Sequence, residues 1–342
     1  MTLPENNLTR KPRRLGLYAP FVLLIIAIAG WSVGWMRMRT EVFRHMDDYA
    51  RVAAENGWRF DWRSRSLSGF PFRLDLEVTA PRVVEASGWG LSAPRLKAEA
   101  FVFSADHWII VAPDGATMRR RVGGPVAIAA KALRASLSQA TAHPPRVSVE
   151  GLDLRFTAPP GSAPCMVTSA AGLHIHTKAG PSDQGAFYVE IDAARLAGDG
   201  ALAALAGVSP VTLKGDAIFS RADALDGPGF APALSGWSRA GGALTVRALS
   251  LDSAGVKIET TSGDLTLDSD GRLKGQLALQ AKPAAGLLTL IAARAASESA
   301  LATARAALAA RTTDGRAYVT VDFQAGQTTL GPVGVGPAPR IY

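Results

Sequence analysis

Two histidines two residues apart, His174 and His176, are the first pair in this sequence whose type and spacing could do chemistry. Side chains alternate along a strand, so positions 174 and 176 share a face and can offer two imidazoles to one divalent cation. A metal centre needs further ligands, and the neighbouring sequence supplies no obvious one. A half-exposed strand face explains the pair equally well. His45, His107 and His143 have no partner in sequence. Gly198-Asp199-Gly200, with Ala203 three residues on, matches the G-x-G-x-x-A turn of dinucleotide-binding folds, and Asp216 stands near the expected acid position. Yet the helix-like run after it is short, and the glycines fall well past the strand-like run 187–191. No alternating β/α pattern surrounds them, so the match is not read as a cofactor site. There is no G-x-S-x-G elbow and no Walker loop. The carboxylate pairs Asp47-Asp48 and Asp268/Asp270 fall on a polar helix face and in a turn, where solvation accounts for them. No catalytic residue, cofactor or metal ligand is expected, and the chain reads as a non-enzyme. A hydrolase assembled from residues far apart in sequence is the catalytic alternative.

Composition bounds the setting. The chain has 342 residues, 48% hydrophobic and 19% charged, which suffices for a sizeable core and excludes disorder by composition. A single cysteine, Cys165, excludes an intramolecular disulfide and a cysteine zinc ribbon. The net charge of +8 lies wholly in the first 140 residues, because the remainder carries as many acids as bases. No aromatic–basic interleaving accompanies that excess, so a basic bias close to a membrane is favoured over nucleic acid.

The first element is an anchor. Residues 17–36 run for 20 positions without a charge, long enough to cross a hydrocarbon core of about 30 Å. Leu17, Phe21, Leu23, Leu24, Ile25, Ile26 and Ile28 supply its apolar surface, and Tyr18, Trp31 and Trp35 sit toward its ends, where amphipathic rings favour the headgroup layer. Arg10, Lys11, Arg13 and Arg14 precede it, which favours a cytoplasmic N-terminus (residues 1–16 a cytosolic basic tail) and an inner-membrane protein with a periplasmic body. Arg37, Arg39 and Arg44 vote the other way. The competing reading is a signal peptide cleaved after Ala27-Ile28-Ala29, giving a secreted body. Residues 37–56 show helical spacing at Val42, Met46, Tyr49 and Ala53, as expected of a juxtamembrane helix.

From residue 57 the hydrophobic period changes to two. Phe70, Phe72, Leu74, Leu76 and Val78 alternate with polar positions, and similar runs recur through 95–103, 107–112, 125–138, 146–156, 165–177, 185–192 and 210–219. Residues 243–282 read as consecutive short strands with turns at 252–255 and 268–271, an antiparallel meander, because such short connections cannot cross over. A final pair follows in AYVTVDFQ and TTLGPVGV. Two stretches break the pattern: a short helix at 200–207, and an Ala-rich helical region at 284–311 with a break before Ser297. The expected fold is mainly β (α+β): a transmembrane helix, then a long curved antiparallel sheet or two successive sheets, partly covered by helices. The body spans 57–342, with lobes near 57–193 and 208–342. The helices supply less apolar area than the strands expose, which leaves a concave surface for a ligand or a sheet folded on itself.

The run Gly69-Phe70-Pro71-Phe72, placed after a one-span anchor and followed by Ser92-Ala93-Pro94-Arg95-Leu96, resembles the bacterial domain of unknown function 2125. The tail Leu330-Gly331-Pro332-Val333 is similar to that family's ending. The resemblance implies an alphaproteobacterial envelope protein with no assigned reaction, and it carries over no functional residues. Residues 263–279 are also similar to strands of the AsmA-like envelope proteins, which implies lipid handling along a β-groove. Taken on its own chemistry, the Gly69-Phe70-Pro71-Phe72 run reads as structural: the glycine bends, the proline marks an edge, and the phenylalanines pack. The expected function is a membrane-anchored β-rich envelope protein that binds lipid or another amphiphile. Its expected partners are membrane lipid and envelope proteins, and not nucleic acid. A scaffold that binds proteins through a sheet edge is the alternative.

Overall fold

The structure, a computed structural model, describes residues 15–198, 201–227, 229–292 and 297–342. Helix α1, Leu15–Glu55, runs unbroken through the apolar stretch and the amphipathic residues after it. Pro20, the sixth residue of the helix, removes one backbone bond in its second turn, and the helix continues past it.

Behind α1 the chain makes five passes of a meander, and each pass is broken into two short strands. The pairs are β1 (Arg59–Asp61) with β2 (Ser64–Ser68), β3 (Arg73–Thr79) with β4 (Arg82–Val84), and β5 (Gly90–Ser92) with β6 (Arg95–Phe101). Next come β7 (Ser104–Val111) with β8 (Ala116–Arg119), and β9 (Pro125–Ala129) with β10 (Ala132–Ser138). The breaks line up across the sheet as a crease. Ala80-Pro81, Ala93-Pro94 and Ala112-Pro113 occupy it, because proline cannot donate to a ladder and interrupts the strand that carries it. Backbone bonds still cross the crease: Ala80 N–H donates to Pro94 O at 2.8 Å and Ala93 N–H to Pro81 O at 3.2 Å.

Strand β11 (Arg146–Thr157) gathers both halves. Its first part pairs with β10 and its last residues with β9, and Asp153 between them takes a left-handed φ of 51°. From there the meander continues through β12 (Val167–Ala179), β13 (Gln184–Leu196), β14 (Val211–Ser220), β15 (Leu244–Ser253), β16 (Val256–Leu267) and β17 (Leu273–Lys282). It ends in β18 (Thr312–Thr313), β19 (Arg316–Gln324), β20 (Gln327–Leu330) and β21 (Val333–Pro337). Among the described residues these twenty-one strands form one hydrogen-bonded sheet. The expected choice between one sheet and two therefore resolves as one, creased in its first half.

Helices cover parts of its apolar face. Leu213, Leu251, Ile258, Ala281 and Ala317 are successive cross-strand neighbours on that face. Over this row lie α2 (Ala201–Ala206), α4 (Ala285–Ala292) and α5 (Glu298–Ala310), which bring in Leu205, Leu287, Ala304 and Leu308. Gly286 permits the close approach of α4, since a Cβ there would lie 2.1 Å from Val256 Cγ1. Helix α3 (Phe230–Arg239), between β14 and β15, is an element the β reading of this region does not contain.

The crease brings distant parts together. Leu67, Leu74 and Val102, above it, pack on Trp35 of α1. Beyond the end of β4, the buried Glu85 carboxylate accepts the backbone N–H of Phe230 at 2.6 Å, at the N-terminus of α3. An anion is stabilised there by the helix dipole and the free N–H groups.

Candidate functional site

The apolar half of α1 has no protein around it. Phe21, Leu23, Leu24, Ile25, Ile26 and Ile28 are each more than half exposed, and the window carries a mean hydropathy of 1.9. By length and composition this helix can cross a membrane or serve as a signal sequence. Leu17 belongs to the same helix. Trp31 and Trp35, at the far end of the run, turn back to the body instead of outward. Trp31 Nε1 donates to Pro71 O at 2.8 Å and Trp35 Nε1 donates to Arg73 O at 3.0 Å. Further along, Asp47 forms a bidentate pair with Arg65, whose guanidinium also lies 4.8 Å from the Phe43 ring centre. Val42 and Phe43 pack on the body here, while Tyr49, which shares the helical spacing of Val42, faces water.

The carbonyls that receive the two indoles belong to the Gly69-Phe70-Pro71-Phe72 segment and the residue after it. Strand β3 starts only at Arg73, which corrects the reading of Phe70 and Phe72 as strand positions. Gly69, at φ 99°, turns the chain, and a Cβ there would lie 2.7 Å from Arg73 O. The phenylalanines do not enter the body's core either: Phe70 is 51% and Phe72 56% exposed. They pack against the helix, Phe70 edge-on to Trp35 at 5.7 Å and Phe72 at 6.1 Å from Trp31. The adjacent β6–β7 turn adds Phe101 and Phe103, 62% and 74% exposed, with Phe103 stacked 5.6 Å from Trp31. Phe101 and Phe103 belong to the run 95–103 expected as a strand; the strand ends at Phe101, Phe103 lies in the turn, and only Val102 between them is buried.

A second feature lies on the apolar face between α3 and the sheet. Phe187, Phe219, Leu244 and Leu265 from the strands face Leu234 and Trp237 from the helix around an open-sided cavity of about 260 Å³ with wholly apolar exposed lining. Trp237 is fixed by an Nε1 bond to Ser220 O at 2.6 Å. Sequence reasoning missed α3 although Phe230, Leu234 and Trp237 keep helical spacing, because Gly227, Gly229 and Pro232 around its start read as loop.

The polar candidates resolve into structural pairings. His174 and His176 do share a face of β12, their rings 6.3 Å apart. His176 Nδ1 bonds the Ser148 hydroxyl, and its ring stacks on Tyr188. Glu190, cross-strand from His174, is already engaged: Lys214 Nζ is 2.7 Å from Oε1, and the Tyr188 hydroxyl donates to Oε2 at 2.7 Å. The Lys214 ammonium, then the Tyr188 hydroxyl, hold the Glu190 carboxyl below its ordinary range, and the same carboxylate raises the Tyr188 phenol. Among the described residues no three His, Cys, Asp or Glu side chains converge on a metal position. His45 is paired with Glu41, and Asp268 Oδ1 accepts the N–H groups of Asp270 and Arg272 in its turn. The glycine-rich match at 198–200 lies partly outside the described residues. It joins antiparallel β13 and β14 through a six-residue helix, not a parallel βαβ unit. Cys165 is a free, half-buried thiol.

These features define a class: a continuous antiparallel meander clamped at one end to a long apolar helix. Residues 35–339 match the model of a family described as uncharacterized protein conserved in bacteria (DUF2125), and the chain belongs to that family. The match takes in Trp35, the Gly69-Phe70-Pro71-Phe72 turn and the creased passes. No curated protein matches this chain. No solved structure matches it either.

Proposed function

We propose that this chain is a single-pass membrane protein whose β body binds the hydrocarbon part of a lipid or another amphiphile. The observation that carries the reading is the apolar cavity between α3 and the sheet. An open apolar concavity in water costs free energy in proportion to its area, about 25 cal/mol per Å². A hydrocarbon segment recovers that cost where water, finding no polar partners, does not. The exposed lining is apolar, and its one polar side chain, Thr266, donates its hydroxyl to Lys274 O, which favours binding over hydrolysis. The four basic residues at positions 10–14 support a cytoplasmic N-terminus in the inner membrane, with the body in the periplasm.

The test is native mass spectrometry of the full chain released gently from its membrane. One stoichiometric amphiphile on the wild type, lost in Leu234→Trp, which fills the cavity, is expected. An empty wild type, or equal occupancy in the filled variant, overturns the reading.

A further inference from the structure

We propose that the two hairpin tips at 69–72 and 101–103 form an aromatic collar that sits in the headgroup layer of the bilayer crossed by α1, so that the body rests on a lipid surface instead of hanging from a stalk. This rests on the anchor half of the preceding reading and is independent of the cavity.

The depth follows from helix geometry. Residues 17–36 are the uncharged run, and each helical residue rises about 1.5 Å. Trp31 lies five residues inside the end at Met36, about 8 Å along the axis. The groups that touch Trp31 and Trp35 are therefore lateral neighbours of the run's last turns and do not lie beyond them. Phe72, Phe103 and Trp31 make one ring cluster, with centres 6.1, 5.6 and 6.3 Å apart. With the run in the bilayer, these rings fall within about 8 Å of the boundary between headgroups and acyl chains, the zone where aromatic side chains are enriched.

The backbone is suited to that depth. Peptide groups near hydrocarbon must find partners within the protein. Here Gly69 O accepts Arg73 N–H at 2.9 Å, Pro71 O accepts Trp31 Nε1, Phe72 O accepts Val102 N–H at 3.0 Å, and Arg73 O accepts Trp35 Nε1. Pro71 has no N–H to satisfy. Phe70, Phe72 and Phe103, exposed and gathered on the two tryptophans, would be costly in water and are favourable against lipid. The polar limit is marked as well: just above the rings, Arg73 is paired with Asp75 and Glu99, a charged row suited to the aqueous side.

The experiment uses the full chain with Cys165→Ser, reconstituted in phosphatidylethanolamine–phosphatidylglycerol vesicles. Spin labels are placed singly through Ile25→Cys, Phe103→Cys and Val122→Cys. Val122 is 82% exposed in the remote β8–β9 turn and serves as the aqueous control. The expected result is hydrocarbon depth at 25, water at 122, and a label at 103 about 5–10 Å into the headgroup–acyl boundary. A label at 103 as aqueous as that at 122, with 25 in hydrocarbon, overturns the collar and leaves the anchor standing. An aqueous label at 25 overturns both. On the unaltered chain, a lipid carrying a photoactivated diazirine at its glycerol level should tag peptides around 69–73 and 101–105. Tags confined to α1 overturn the collar independently of any variant.

Discussion

Glu190 shows how much a single carboxylate can do on this sheet without being a catalyst. It lies on the polar face of β13 and takes an ammonium on one oxygen and a phenol on the other, at 2.7 Å each. Its pKa is depressed on folding, so the native chain binds fewer protons here than the unfolded chain as the medium is acidified. The sign follows. Its stabilisation is present at neutral pH and is lost as pH falls through and below the ordinary carboxylate range, about pH 4. Glu190→Gln should lower the melting temperature at pH 7, and its gap to the wild type should shrink as the pH is taken below about 4, as read by circular dichroism. A gap that stays constant across that interval would show that the ion pair is not its source. Being partly solvated, the pair contributes modestly. The histidines beside it were legible as a same-face pair, because strand periodicity alone fixes that. The engagement of His176 with Ser148 and Tyr188 was not, because those partners come from the neighbouring strands β11 and β13.

At the scale of elements, the covering helices determine which faces stay open. Helix α4 enters through Gly286 and places Leu287, fully buried, over the row from Leu213 to Ala317. Leu287→Ala should cost about 2–5 kcal/mol, the range for a leucine removed from a packed core. Denaturant unfolding of the full chain in detergent checks this, and a loss under about 1 kcal/mol would mean that α4 is not part of the core. The meander from 243 to 282 was readable, turns included, since alternation and short polar connections are local signals. Helix α3 was not, because its glycines and proline mimic a loop and its helical state is secured by contacts made elsewhere: Trp237 on Ser220, and the Glu85 carboxylate on its first N–H. Likewise 125–138 reads as one strand and is two, since the crease at Ala130-Lys131 continues a line begun by prolines in other strands.

For the whole molecule, the clamp between α1 and the sheet bears on the fate of the N-terminus. Trp35 is buried among Leu67, Leu74 and Val102, and the helix continues to Glu55 along the body. The apolar run and the part that packs are one continuous helix. The chain extracted from membranes should therefore have the intact mass of the uncleaved sequence. A mass beginning at Gly30 would identify a signal peptide and replace the anchor with a secreted body.

The sequence by itself settled what depends on neighbours along the chain: the uncharged run, the change of period from 3.6 to two, the antiparallel connections, and the family, through the run at Gly69-Phe70-Pro71-Phe72. Tertiary structure decided what that run is for. A glycine, a proline and two phenylalanines look alike in sequence whether they fill a core or face outward. Only the fold brings them, with Phe103 some thirty residues later, against two tryptophans nearly forty residues earlier. Burial and exposure belong to surfaces assembled from distant segments, and no local pattern specifies which segments those will be.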